Sequence, residues 1–150
     1  MHRLLFVCHG NICRSPMAEF VMKDIVAQHG ATDRFVIESA ATSGEEIGNP
    51  PHEGTVRVLA REGISCEGKF ARRIREEDYE AFDYLIGMDE ANVRNMKRFF
   101  RGDPEGKVGL LLEFAGKKRG IDDPWYTGCF DKTFADVSEG CAALWELLDA

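Results

Sequence analysis

Four short, mostly apolar runs, Leu4–Val7, Phe35–Ala40, Tyr84–Met88 and Val108–Leu112, punctuate this chain, with helix-length patterns between them. Runs with little polar alternation suit strands buried on both faces. Between the first two, Ala18, Val21, Met22 and Ile25 share one face of a helix predicted from about Pro16 to His29 and stopped by Gly30. A second helix is predicted over His52 to Glu62 with Val56, Leu59 and Ala60 inward, and a short acidic one over Glu76 to Phe82. Asp89 is placed to cap a helix carrying Val93, Met96 and Phe100, and a last helix from about Asp131 to Leu148 bears the stripe Phe134, Val137, Cys141, Leu144, Trp145 and Leu148. Strands alternating with helices require a parallel sheet covered on both faces, an α/β fold. At 150 residues, 44% of them hydrophobic, the chain can bury one core and is expected to form a single domain over 1–150.

The chemistry concentrates after the first strand, in Val7-Cys8-His9-Gly10-Asn11-Ile12-Cys13-Arg14-Ser15-Pro16. Ser15 is a favoured helix cap and Pro16 suits a first helical turn, so the loop should end at a helix N-terminus. Free N–H groups and the positive dipole end there stabilise an anion such as phosphate. Thiols at such a position, beside an arginine, ionise more readily and become nucleophiles. Arginine adds a planar fork that grips two oxygens of a tetrahedral anion. Gly10 and Asn11 tolerate the left-handed backbone of a tight anion nest. Cysteine more often ends a strand as plain packing, so the flanking strand and helix, and not the Cys-to-Arg spacing alone, give the pattern its weight.

Other features narrow the field. A net charge of −7 disfavours nucleic acid as a partner. No apolar run reaches the 18 or so residues of a membrane span, and the chain enters a strand without a signal-peptide pattern, so no membrane partner and a cytoplasmic location are expected. The five cysteines, at 8, 13, 66, 129 and 141, are odd in number and lack metal-ligand spacing. They point to a reducing compartment and to neither a metal nor another cofactor. Strand ends in a parallel sheet share one crevice, so Cys8, the loop 41–51, Asp89 and the long loop 116–128 should converge there.

CHGNICRSP, together with Asp123-Pro124-Trp125-Tyr126 far downstream, closely resembles the low-molecular-weight protein tyrosine phosphatases. The likeness continues through Ser39-Ala40, Gly48-Asn49-Pro50 and Met88-Asp89-Glu90-Ala91-Asn92. It implies four strands in the order 2-1-3-4 and a phosphate loop formed by His9, Gly10, Asn11, Ile12, Cys13, Arg14 and Ser15. The catalytic set it implies is Cys8 as nucleophile, Arg14 as phosphate clamp and Asp123 as general acid and base. Ser15 would keep the thiolate ionised and Asn11 would fix the loop. Cys13 would trap an oxidised Cys8 as a disulfide. The substrate implied is a tyrosine-phosphorylated protein; the sequence does not fix the oligomeric state, and a monomer is the expectation. Asp89 is assigned only to helix capping.

Two positions depart from the resemblance. Lys69 stands where many relatives carry a histidine that supports the loop, within a basic stretch (Lys69, Arg72, Arg73, Arg75) that would otherwise read as solvated surface. Glu45 replaces a large aromatic, so the pocket wall combines Glu45 with Trp125 and Tyr126. Arsenate reductases share this fold and loop but need further cysteines, and Phe82 to Asp89, where that family places a pair, has none. A silent phosphate-binding module is the remaining alternative, against which intact Cys8, Arg14 and Asp123 argue.

Overall fold

A computed structural model describes residues 1–149 of the chain. Strands β1 (His2–Cys8), β2 (Phe35–Ala41), β3 (Tyr84–Gly87) and β4 (Val108–Leu110) form one parallel sheet in the order β2-β1-β3-β4. β1 is central: Cys8 pairs with Ala41 on one side and Val7 with Gly87 on the other. The order reverses at β1, so the crevice beyond its carboxyl end opens where Cys8 lies.

Successive β1 residues feed opposite faces, as the period of two requires. Leu4, Phe6 and Cys8 join the larger core, built with helices α1 (Arg14–Gln28), α2 (Glu53–Arg61) and α6 (Phe130–Asp149). Leu5 and Val7 join the smaller one, with Ile74, Tyr79, Phe82 and Met96 from the side of α3 (Asp78–Ala81) and α4 (Glu90–Phe99). The α6 stripe is as expected, with Val137, Cys141, Leu144, Trp145 and Leu148 buried and Phe134 packed at the edge. No helix of the described residues is long and apolar enough to cross a membrane.

Four local expectations are corrected. In α2 it is Val58 and Leu59 that point inward, while Val56 and Ala60 are exposed, because packing against α1 and α6 sets the helical phase. The fourth strand stops at Leu110, and Leu111–Ala115 turns as a 3₁₀ helix whose entry is held by Glu113 accepting from the Leu110 N–H (2.7 Å). Loop 116–128 contains the short helix α5 (Pro124–Thr127). The basic stretch is only partly solvated surface: Arg72 pairs with buried Asp78 (3.0 Å), and Lys69 is 12% exposed.

Candidate active site

Ser15 does not cap α1. The cap position is Cys13, which makes no side-chain capping bond, and Ser15 lies inside the first turn. Its hydroxyl is committed instead to the thiol, at 3.0 Å from Cys8 Sγ. The side-chain amide of Asn11 holds Ser15 from the other side. Asn11 Oδ1 accepts from the Arg72 N–H (3.1 Å), so Nδ2 must be the donor to Ser15 Oγ (2.7 Å) and Ser39 Oγ (2.9 Å). With its oxygen accepting from Asn11, the Ser15 hydroxyl has two acceptors within reach of its proton, the Cys8 sulfur at 3.0 Å and the Ala40 carbonyl at 3.5 Å, and a thiolate, having no proton to give, can only accept from it. The Asn11 N–H donates to the same sulfur at 3.3 Å, which requires Asn11 to adopt φ 59°. Asparagine is among the non-glycine residues that adopt this region most readily, and the three side-chain bonds of Asn11 hold it there.

The scaffold behind Asn11 runs deeper. Ser39 Oγ donates to Glu19 Oε1 (2.5 Å), and Glu19, 4% exposed, is neutralised by Lys69 (3.2 Å) and Lys23 (2.6 Å). Lys69 also donates to the Ser39 carbonyl (2.9 Å). The lysine therefore replaces the support expected from a histidine: a positive donor bonded to both a buried carboxylate and the strand that anchors the loop. Burial lowers the Lys69 pKa, and Glu19 opposes that shift. Lys69→Met should leave Glu19 with one cation and cost about 1–3 kcal/mol. Urea unfolding measures it: the midpoint should fall at unchanged slope, and an unmoved midpoint would deny Lys69 this role.

Arg14 is 2% exposed, a large buried cation held by its partners. Nη1 uses both hydrogens, on Asp89 Oδ2 (2.7 Å) and on the Ile121 carbonyl (2.9 Å). Nη2 reaches Asp123 Oδ2 at 3.4 Å, and Nε is buried without a partner. The donors left for an anion are therefore Nε and Nη2, a bidentate fork. Burial alone would lower the guanidinium pKa, but facing Cys8, Asp89 and Asp123 raises it, so the cation is secure.

Asp89 divides its two oxygens. Oδ1 caps α4 through the Asn92 N–H (2.9 Å), completing a capping box, while Oδ2 orients Arg14. Capping was legible in the sequence and the second task was not. The 120–123 segment comes close enough to join in because Gly120 has no Cβ: one there would stand 2.9 Å from the Asp89 Cα.

Asp123 and Asp122 lie in different surroundings. Asp123 has the extended backbone favoured before proline (φ −78°, ψ 113°) and caps α5 through the Trp125 N–H (3.1 Å). Asp122 points to solvent and pairs with Lys132 at 3.1 Å. Trp125 meets the edge of His52 (5.7 Å between centroids), and His52 stacks on Phe130 (5.0 Å). His52 also caps α2, its Nδ1 accepting from the Gly54 N–H (2.9 Å), and donates its own N–H to the Ile12 carbonyl (2.7 Å). One residue thus ties the phosphate loop to the aromatic wall.

These elements enclose a cavity of about 150 Å³. Cys8, His9, Gly10, Ile12, Cys13 and Arg14 form its floor and sides, and Glu45, Glu46, Asp123, Trp125 and Tyr126 its wall and mouth. Asn11 and Ser15 are fully buried beneath the loop. Glu45 forms a close hydrogen bond with His9, which keeps its carboxyl below the usual range. Glu46, Asp89, Glu19 and His52 lie outside the set drawn from sequence. Burial, with the charges of Cys8 and Asp123 adding, pushes the Cys13 thiol up to about 12, so Cys13 is held protonated.

Residues 3–150 match the model of a family described as low molecular weight phosphotyrosine protein phosphatase. The chain is 40% identical over 146 residues to the low molecular weight protein-tyrosine-phosphatase YfkJ of Bacillus subtilis, covering 96% of this chain and 94% of that one. The crystal structure of YfkJ superposes with a TM-score of 0.96 at 39% identity, over 99% of this chain and 95% of that one. The human low molecular weight phosphotyrosine protein phosphatase is 40% identical over 141 residues, 92% of this chain and 87% of its own. A Streptococcus pyogenes structure of a low molecular weight protein tyrosine phosphatase gives 0.89 at 44% identity, over 99% and 93% of the two chains.

Proposed function

The chain belongs to the low molecular weight phosphotyrosine protein phosphatase family, and from that premise we propose that it hydrolyses phosphotyrosine in proteins through a phosphocysteine on Cys8. The observation that carries this reading is the sulfur itself. It lies at the end of β1, accepts the Asn11 N–H and sits 3.0 Å from the Ser15 hydroxyl, and its loop ends in a buried arginine whose Nε has no partner and whose Nη2 reaches only Asp123.

The phosphate enters with its non-bridging oxygens on the loop N–H groups and on Nε and Nη2 of Arg14. Cys8 thiolate attacks phosphorus from the side opposite the tyrosine oxygen, forming the S–P bond as the P–O bond to the phenol breaks. Asp123 delivers a proton to the departing oxygen, then takes one from the water that attacks the phosphocysteine, so that phosphate and thiolate are regenerated. Arg14 and the amides act before either step by holding the charge where it develops. Asp89 fixes the guanidinium plane, and Trp125 and Tyr126 flank the substrate ring.

No metal takes part in these steps. Turnover of p-nitrophenyl phosphate and of a phosphotyrosine peptide should therefore persist in EDTA, and a chain inactive towards both would overturn the reading. The lack of a cysteine between Phe82 and Asp89 weighs against arsenate reduction. A monomer in the cytoplasm, with domain bounds 1–150, completes the reading.

Peroxide should convert Cys8 to a sulfenic acid with loss of water from the peroxide, and Cys13 should then displace hydroxide to close a Cys8–Cys13 disulfide that dithiothreitol reopens. Both thiols are free and buried. Tryptic mass mapping decides: a bridge from Cys8 to Cys66, Cys129 or Cys141 would refute the pairing.

A further inference from the structure

Two consecutive carboxylates, Glu45 and Glu46, line the phosphate pocket, and apart from buried Arg14 only His9 among its lining side chains can carry positive charge. The charge of Glu45 is answered by His9. Glu46 differs. Its Oε2 accepts from the Asn49 side-chain amide (2.6 Å), a neutral partner, and its Cγ lies 3.4 Å from where a Gly10 Cβ would stand. It is therefore a fixed, ionisable group packed over the phosphate loop, and its field reaches inside: it adds to the forces raising the Cys13 thiol.

Phosphate must go to the floor, onto Arg14 and the loop amides, so the peptide on either side of the phosphotyrosine leaves across this rim. We infer that Glu45 and Glu46 act as a charge filter, favouring substrates whose phosphotyrosine is flanked by lysine or arginine and opposing those flanked by glutamate or aspartate. The inference rests on the phosphatase reading and deepens it. A flanking cation gains a preorganised partner in Glu46 without displacing another cation from it. A flanking carboxylate meets two like charges, and the net charge of −7 repels it at longer range as well.

The test compares kcat/KM for two phosphotyrosine peptides identical except for lysine or glutamate on both sides of the phosphotyrosine, with p-nitrophenyl phosphate as reference. At low salt the lysine peptide should be favoured roughly 3- to 20-fold, the range expected of a few screened surface charges. In about 1 M salt, where the Debye length is about 3 Å, the ratio should fall to about twofold or less. Glu46→Gln keeps the shape and the Asn49 contact, and should lower the low-salt ratio towards that value, with Glu45 left to supply the remainder. A purely structural Glu46 would leave the ratio unmoved. Equal use of both peptides, preference for the glutamate peptide, or an unchanged ratio in Glu46→Gln would each overturn the filter while turnover of p-nitrophenyl phosphate left the phosphatase reading standing. Inactivity towards all three substrates would overturn both.

Discussion

Cys8→Ser should reduce turnover of any aryl phosphate by on the order of 10⁴-fold or more, the loss expected when a covalent nucleophile is removed from a unit that acts together. Serine keeps nearly the same volume in a site only 3% exposed, so the fold should persist and circular dichroism should be unchanged. What disappears is the sulfur that accepts the Asn11 N–H and lies 3.0 Å from the Ser15 hydroxyl. Phosphate analogues should still bind, because Arg14 and the loop amides remain. Activity within tenfold of the parent would contradict the covalent mechanism. Arg14→Ala should also lose most turnover, but it leaves Asp89 and Asp123 without their shared cation, so its effect combines chemistry with stability.

Asp123→Ala should slow phosphotyrosine hydrolysis by about 10²–10⁴-fold. A leaving phenolate of high basicity needs the proton in the transition state, whereas p-nitrophenolate hardly does, so the variant's rate should depend steeply on leaving-group pKa. Asp122→Ala should change neither property. The structure supplies the reason: Asp123 faces the pocket within reach of Arg14, and Asp122 faces solvent beside Lys132. A series of aryl phosphates run on both variants separates them, and a steep dependence in Asp122→Ala would reverse the assignment.

How much of this was legible in the sequence depends on whether a residue's role is set locally. Apolar runs and the capping box at Asp89 are local, so the strands, α4 and the sheet's crevice followed from pattern alone. Ser15 was read as a cap because serine after a loop usually is one. Its actual partners, Cys8 and Asn11, lie in the same loop, but their contact depends on the left-handed turn at Asn11. Val56 and Val58 both fit an apolar helix face, and only packing against α1 and α6 chooses Val58. Lys69 and Glu19 lie 50 positions apart, and nothing in the basic stretch marks one lysine as buried. Asp89 acquired its second task from Arg14, 75 positions away, across a strand pairing that the capping pattern does not encode.

The covalent mechanism stands or falls on where the phosphoryl group resides during turnover. Rapid acid quench of the enzyme with an excess of p-nitrophenyl phosphate, followed by peptide mass mapping, reports this directly. The predicted result is a phosphoryl group on the peptide carrying Cys8, formed as p-nitrophenolate is released and absent in Cys8→Ser. Phosphoryl transfer to another residue, or full turnover with Cys8 never modified, would contradict it.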